Sequence, residues 1–345
     1  MKVAIITDQH FGARKSSRIF HDYFLRFYNE VFFPTLEKEG ITTVLDLGDT
    51  FDNRRQLDLW SIQWARENYY DRLEKWGVAV HAIVGNHTAY FKDTNTVNTL
   101  DNVLGEYGNV TTYASADTLH LDGRGIVLIP WINQENAEET YKLIEETDCD
   151  VAMGHLELQG FEAHRGYLMD RGASISVYKK FSQVFSGHYH HKSSRQNIHY
   201  LGNPYQIYWN DYKDERGFHI WDTETLELTF VRNPFEIYEK IFYDEDKKLP
   251  KAANYKGKMI KLIVENKKDS AKFDYFISQL YVAGVHEVKV IEDSSFDTQL
   301  ADEIDIEKED TLTILERYVD DMEHSDKSGL KDILKSLYVE ALEIV

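Results

Sequence analysis

Three observations on this 345-residue chain predict an α/β fold with its chemistry gathered at one sheet edge. Over residues 1–210, apolar strand-like runs alternate with helix-like stretches. Five short polar segments punctuate that alternation: Asp8-Gln9-His10, Gly48-Asp49-Thr50-Phe51-Asp52, Gly85-Asn86-His87, Gly154-His155 and Gly187-His188-Tyr189-His190. Four of the five follow an apolar run that reads as a buried strand. Alternation of this kind implies a largely parallel sheet covered on both faces, with function on the loops at the strands' carboxyl ends. The five segments would bring carboxylates, imidazoles and one amide to that edge, which is how a two-metal hydrolytic site is built.

The elements follow in order. Val3-Ala4-Ile5-Ile6 opens the sheet, and residues 19–38 form a helix that Gly40 closes in the left-handed position. Thr43-Val44-Leu45-Asp46-Leu47 is the next strand, and residues 59–75 the next helix, stopped by Gly77. Residues 78–84 are a third strand, followed by a helical stretch over 97–104. Val110-Thr111-Thr112-Tyr113 and residues 125–129 read as further strands. Val151-Ala152-Met153 and Val184-Phe185-Ser186 are short strands just ahead of the two later histidine segments.

Beyond residue 235 the texture changes. Residues 259–264, 270–282 and 286–291 spell a small βαβ unit. Residues 296–310 carry seven Asp/Glu against one Lys and read as a solvated linker. Two amphipathic helices end the chain over 312–322 and 330–344. One carries Leu312, Leu315, Tyr318 and Val319 on a stripe; the other carries Leu330, Ile333, Leu334, Leu337, Tyr338 and Ala341. Such stripes either fold back on the body or dock on a partner. The expected organisation is a body over 1–235, a cap over 236–293, an acidic linker over 294–310 and a helix pair over 311–345.

Composition narrows the class. With 42% hydrophobic residues and abundant aromatics the chain is an ordered globular protein. A net charge of −20 argues against bulk attraction to nucleic acid or an anionic membrane. Bound cations and a local basic patch can still reverse that sign where a phosphate sits. The single Cys149 forms no internal disulfide and suits a reducing cytosol. The chain enters its first strand without a signal peptide, and no apolar run approaches the roughly 20 residues of a membrane span. A cytoplasmic protein with no membrane association is expected.

Asp-x-His and Gly-Asp-x-x-Asp are weak alone, since such turns are common on surfaces, whereas Gly-His-x-His is a strong local signal. Gly-Asn-His after Ala82-Ile83-Val84 is more telling, because an amide is costly at the mouth of a buried strand unless its oxygen has a ligand. Gly-His-x-His places two imidazoles on one side of an extended turn. The other histidines His21, His81 and His120 are assigned packing or surface roles.

The combination and order of the five segments resemble the calcineurin-like metallophosphoesterases over residues 1–210. The resemblance implies a four-layer sandwich of sheets flanked by helices, with two divalent cations about 3.5–4 Å apart for in-line hydrolysis at phosphorus. It implies Asp8, His10, Asp49 and His190 on one metal, and Asp49, Asn86, His155 and His188 on the other, with Asp49 as the bridge. The mixed N/O donor set suits Mn²⁺, with Mg²⁺, Fe²⁺ or Zn²⁺ behind it. His87 is the expected general acid, and Asp52 orients His87 or a ligand. The family usually follows Gly-Asn-His with Asp or Glu; Thr88 stands there instead. The metals are expected to bind while turnover falls.

Three features select a branch. Protein Ser/Thr phosphatases of this fold read Gly-Asp-x-x-Asp-Arg-Gly, whereas this turn continues Asn53-Arg54-Arg55. The stretches Tyr200-Leu201-Gly202-Asn203-Pro204-Tyr205-Gln206 and Asp214-Glu215-Arg216-Gly217-Phe218 resemble those of SbcD-type DNA nucleases. The cap, acidic linker and terminal helix pair match their layout, and the His10-Phe11-Gly12-Ala13-Arg14 start looks closest to tailed-phage members. That likeness implies 3′→5′ exonuclease action on double-stranded DNA and endonuclease action on single strands. It also implies a homodimer, and docking of residues 311–345 on an SbcC-type ATPase. Arg14, Lys15, Arg18, Arg54 and Arg55 are candidate DNA-backbone contacts or plain loop rim. Tyr90, Phe91 and Lys92 either stack on a terminal base or pack into the core. The aromatics Phe20, Tyr23, Phe24, Phe27, Trp60 and Trp64 either form the dimer interface or belong to the core. Rival readings are a small-molecule or nucleotide phosphodiesterase of the same superfamily, and a weakly active scaffold.

Overall fold

The computed structural model describes residues 1–292 together with positions 319, 327, 330, 331 and 334. Two six-stranded mixed sheets form the body, where alternation alone pointed to one. In the first, Lys2–Ile6, Thr43–Asp46, Ala79–Ile83 and Val110–Tyr113 run parallel, and the antiparallel pair Gly217–Asp222 and Leu228–Arg232 extends its edge. In the second, Ile198–Tyr200, Gln183–Gly187, Val151–His155 and Arg124–Ile129 are parallel. Ser193–Arg195 and Asp117–Leu121 are its antiparallel edges.

The sheets pack face to face because their strands are apolar on the inward side. Val3, Ile5, Leu45, Ile83 and Trp221 of the first sheet meet Ile126, Leu128, Val151, Met153 and Phe185 of the second in one buried cluster. Helices cover the outer faces. Phe27 and Phe32 pack their rings against Phe218 of the first sheet. Ile144, Tyr178 and Phe181 cover Val127, Ala152 and Val184 of the second. The result is the four-layer α/β sandwich.

The expected helices over 19–38 and 59–75 are continuous but not regular. Arg18–Phe27 passes through a π turn, Tyr28–Phe32, into Phe33–Glu39, and Leu59–Ala65 passes through Arg66–Tyr70 into Asp71–Lys75. Each extra residue re-aims bulky side chains, so that Tyr28, Phe32, Tyr69 and Tyr70 all become buried. Gly40 and Gly77 end these helices with φ of 65° and 67°. Asp58 caps Leu59–Ala65 through the N–H groups of Trp60 and Ser61.

The aromatics weighed as a dimer interface are mostly core. Phe20, Phe24 and Phe27 are essentially inaccessible, Trp64 is buried, and Phe24 stacks on Tyr205 at 3.8 Å. Tyr23 and Trp60 are half-buried.

The βαβ unit is present as Met259–Asn266, Ser270–Val282 and Glu287–Ile291, with a third parallel strand, Tyr238–Asp244, that sequence reading missed. Phe273, Phe276 and Leu280 of the helix cover Ile241, Ile260 and Leu262 of this sheet. The Gln206 side-chain carbonyl accepts the N–H groups of Ile237 and Tyr238, tying the sheet's first strand to the body. Residues 211–292 belong to one compact unit with residues 1–207. A second unit comprises Tyr208–Asn210 and Asp293–Val345, and its positions 319, 327, 330, 331 and 334 are helical. The expected linker over 294–310, and the expected helices over 312–322 and 330–344 apart from those positions, lie outside the described residues. Among the described residues no helix is long and apolar enough to cross a membrane.

Candidate metal centre

Both sheets, rather than one, deliver the site. Asp8, His10, Asp49 and Asn86 follow strands of the first sheet, while His155, His188 and His190 end or follow strands of the second. The first two loops are laced by main-chain bonds: Asp8 N to Gly48 O (2.9 Å), His10 N to Asp49 O (2.9 Å) and Phe11 N to Thr50 O (2.8 Å). Four of the expected ligands, Asp8, His10, Asp49 and His188, have φ between 47° and 84°. Left-handed backbone costs a non-glycine residue energy and persists only where the surroundings over-determine it. The glycines of the motifs have a steric reason. A Cβ on Gly85 would fall inside the Asp49 carboxylate, and one on Gly187 would overlap the Thr7 hydroxyl.

The side chains converge in three groups. Asp8, His10 and His190 place ligand atoms within 4.8 Å of one another; so do Asp49, His155 and His188, and so do His10, Asp52 and His87. The first two groups divide as the expected ligand sets do. Asn86 joins the second, its Oδ1 lying 3.0 Å from both His155 Nε2 and His188 Nδ1.

The donor chemistry fits cations. His155 Nδ1 is 2.8 Å from the Leu47 carbonyl and donates to it, which turns the Nε2 lone pair toward Asn86 Oδ1 and, at 3.1 Å, Asp49 Oδ2. Three lone-pair atoms facing one another require a positive charge between them. In the absence of a metal a proton takes that place. Burial opposes an imidazolium, but Asp49 outweighs it and holds His155 up at about 9. Burial likewise opposes a charged Asp49, yet the His155 and His87 imidazoles keep its carboxyl well below the usual range. In the first group, His10 Nε2 and His190 Nε2 face each other at 3.1 Å.

His87 and Asp52 are brought beside this cluster. The His87 ring lies 5.0 Å from that of His10, its Nδ1 is 2.6 Å from the Asp52 carbonyl, and its N–H binds Asp49 Oδ1 at 2.8 Å. Asp52 thus touches both residues weighed for it. Its main chain holds His87, and its Oδ1 lies 3.1 Å from His10 Nδ1, out of line for a hydrogen bond. Thr88 is fully buried; its hydroxyl accepts from Gly85 N (2.8 Å) and donates to Gly85 O (3.1 Å). A neutral hydroxyl thus pins both peptide groups of Gly85, whereas an ionised carboxylate could only accept.

Sequence reading missed a supporting layer. Thr7 Oγ1 donates to Asp8 Oδ2 (2.7 Å). Asp46, buried at the end of its strand, accepts from Gln9 Nε2, Gly48 N and Thr50 Oγ1. Burial still pushes its carboxyl up to about 7. Tyr28 and Tyr205 hydroxyls hold Gln9 in turn, each at 2.6 Å. Arg216, also buried, donates to the His190 carbonyl and Asn203 and pairs with Asp211 (2.8 Å) and Asp214 (2.9 Å). The Trp131 ring lies 5.1 Å from that of His188. A carboxylate inside the apolar run Thr43-Val44-Leu45-Asp46-Leu47 was the visible signal for Asp46; nothing local marked Trp131.

The basic residues Arg14, Lys15, Arg18, Arg54 and Arg55 are exposed or half-buried. Arg14, Lys15 and Ser16 form a left-handed turn with φ near 57°, closed by Ser16 N to Gly12 O at 2.8 Å. Arg18 lies over the Trp60 ring, and the Asn53 side chain caps the turn at Arg55 and Gln56.

Comparison with known proteins agrees with this geometry. The family of calcineurin-like phosphoesterases matches residues 1–192. Exonuclease subunit 1 of Enterobacteria phage T4 is 31% identical over 311 residues, 89% of this chain and 90% of its own length. A solved structure of a novel archaeal phosphodiesterase aligns over 68% of this chain and all of its own, at 13% identity and a TM-score of 0.34. A likeness that low carries no argument.

Proposed function

This chain belongs to the calcineurin-like phosphoesterase family, whose members hydrolyse phosphoester bonds with divalent metals, and from that premise we propose that it is a metal-dependent DNA nuclease. The observation that carries the reading is the facing of lone pairs among Asp8, His10, Asp49, Asn86, His155, His188 and His190, which calls for cations. The resemblance to a phage exonuclease subunit along nine-tenths of the chain supports DNA as the substrate.

When bound, two cations, Mn²⁺ by donor set, supply the charge that stabilises both the attacking and the departing oxygen of an in-line displacement. The chain's own residues do the rest. Asp49 would be the bridge between the two ligand groups. His87, its Nδ1–H committed to the Asp52 carbonyl, would act as the imidazolium, giving its Nε2 proton to the departing oxygen and returning to neutral imidazole until it takes up another proton from water. Arg14, Lys15, Arg18, Arg54 and Arg55 contact the phosphate backbone without reading sequence.

The finer reading is 3′→5′ exonuclease action on double-stranded DNA and endonuclease action on single strands. The protein acts in the cytoplasm as a homodimer bound to an SbcC-type coiled-coil ATPase through residues 311–345. It processes DNA ends in recombination, repair and replication. Residues 236–293 cap the DNA path.

The test is paired digestion of an end-labelled duplex and of cyclic nucleotides with Mn²⁺ present. Duplex degradation is expected; robust cyclic-nucleotide turnover without DNA cleavage would replace this reading with a nucleotide phosphodiesterase. Removal of residues 311–345 is expected to abolish co-purification with the ATPase, and persistence of the complex would move the contact elsewhere.

A further inference from the structure

Two large aromatic side chains stand exposed on the loop that leaves the metal centre. Tyr90 and Phe91 follow His87 by three and four residues and are 42% and 48% exposed, their rings edge-to-face at 4.8 Å. Of the two outcomes open from sequence, stacking surface or core, burial is ruled out. Trp76, Phe242, Tyr275 and Tyr281 are exposed as well, but among the described exposed aromatics Tyr90 and Phe91 are the consecutive pair, and they stand on the loop that carries His87. Such a pair beside the centre calls for an occupant.

The loop carrying them is built to be rigid. Tyr90 N donates to Val97 O (2.9 Å), Thr99 N donates to Thr88 O (2.8 Å), and Ala89 bridges Asn98. Inside it, buried Asn95 donates to the Ala114 carbonyl (3.0 Å) and the Trp131 carbonyl (2.8 Å) and accepts from Asn133 (3.0 Å). Asn98 donates to the Asn95 carbonyl (3.0 Å) and caps the following helix through Asp101 N (2.9 Å). Trp131 is the hub: its N–H binds the Val84 carbonyl at 2.7 Å, and its ring packs on that of His188. One residue therefore sets the aromatic loop in register with a metal-ligating histidine and with the strand that delivers Asn86.

We propose that Tyr90 and Phe91 form a stacking platform for the terminal nucleobase of the strand undergoing hydrolysis. The inference rests on the nuclease reading and names a contact within it. An exposed aromatic face accepts any base, because every base has a π face, so the platform grips a strand end without choosing a sequence. Registration through Trp131 fixes the distance between the gripped base and the metals, which sets which phosphodiester enters the site.

A duplex with 2-aminopurine at its 3′ terminus tests this, with Ca²⁺ in place of Mn²⁺ to hold off cleavage. The wild type is expected to change the fluorescence of the terminal analogue by stacking. The double variant Tyr90→Ala/Phe91→Ala is expected to lose that change, and Tyr90→Phe to keep it. With Mn²⁺, the ratio of duplex-end to bis-p-nitrophenyl phosphate turnover should fall tenfold or more in the double variant, of the order one lost base–aromatic stack predicts. An unchanged signal in the double variant, or none in the wild type, overturns the platform. Loss of ATPase co-purification with the fluorescence change intact overturns it in favour of a protein-docking surface. A wild type that stacks the base yet cleaves no DNA with any cation defeats the nuclease reading and leaves the platform standing.

Discussion

At the scale of single residues, each side chain at the centre has a separable job. His87 is oriented by a carbonyl and stands outside the two expected ligand sets, so His87→Gln should lower turnover by about 10²–10⁴ while Mn²⁺ affinity, read by titration calorimetry, stays near wild type. A parallel loss of metal would assign His87 to the ligand shell. Asp52 acts through His10, and Asp52→Asn should cost about 10–100-fold in metal affinity or rate. Thr88 ties both peptide groups of Gly85, so Thr88→Val leaves a buried N–H unsatisfied, at a cost of about 1–3 kcal/mol measurable as a lower midpoint in urea. The residues that converge at the centre were legible in sequence because their motifs combine rare residue types after apolar runs. Asp46, Gln9 and Trp131 were not, because their importance lies in contacts between loops that no local pattern shows: Asp46 with Gln9, Gln9 with Tyr28 and Tyr205, and Trp131 with Val84 and His188.

At the scale of elements, the interior strands and the helix-ending glycines could be read directly, since burial on both faces leaves continuous Val/Ile/Leu runs. Of the edge strands of the two six-stranded sheets, only Val110–Tyr113 could. Asp117–Leu121 and Leu228–Arg232 are only partly buried and carry mixed polarity, although Asp122-Gly123, with φ of 52° and 80°, is the turn a two-residue hairpin demands. The π turns left no periodic mark, because one inserted residue shifts a helical stripe without erasing it. The strand Gly217–Asp222 carries a further consequence. His219 is buried beside Phe230, and burial, with Lys192 and His199 nearby, lowers its pKa from 6.5 to about 3. Below pH 6.5 the unfolded chain takes up a proton that the folded chain refuses, so this contribution to stability is present above pH 6.5 and is lost as pH falls toward 3. The slope is about 1.4 kcal/mol per pH unit. Urea melts from pH 7 to 5 should show that slope in the wild type and a flatter one in His219→Leu; equal slopes would place the acid sensitivity elsewhere.

At the scale of the whole molecule, a chain of net charge −20 that acts on a polyanion must create its own positive region. On the proposed function, cations held at the centre would do so, and Arg14, Lys15, Arg18, Arg54 and Arg55 would extend it. DNA binding should therefore depend on divalent metal as well as on salt. With EDTA, affinity for a duplex end should fall at least tenfold, and Ca²⁺ should restore it without cleavage. The measurement that bears most directly on the central claim is Mn²⁺-dependent digestion of a blunt, end-labelled duplex by the wild type and by Asp49→Asn. The account predicts nucleotide release from the 3′ end by the wild type, none in EDTA, and loss of at least a thousandfold in Asp49→Asn, as expected for a group whose charge stabilises the transition state through the metals. Digestion at equal rates by the two proteins, or by the wild type in EDTA, would contradict it.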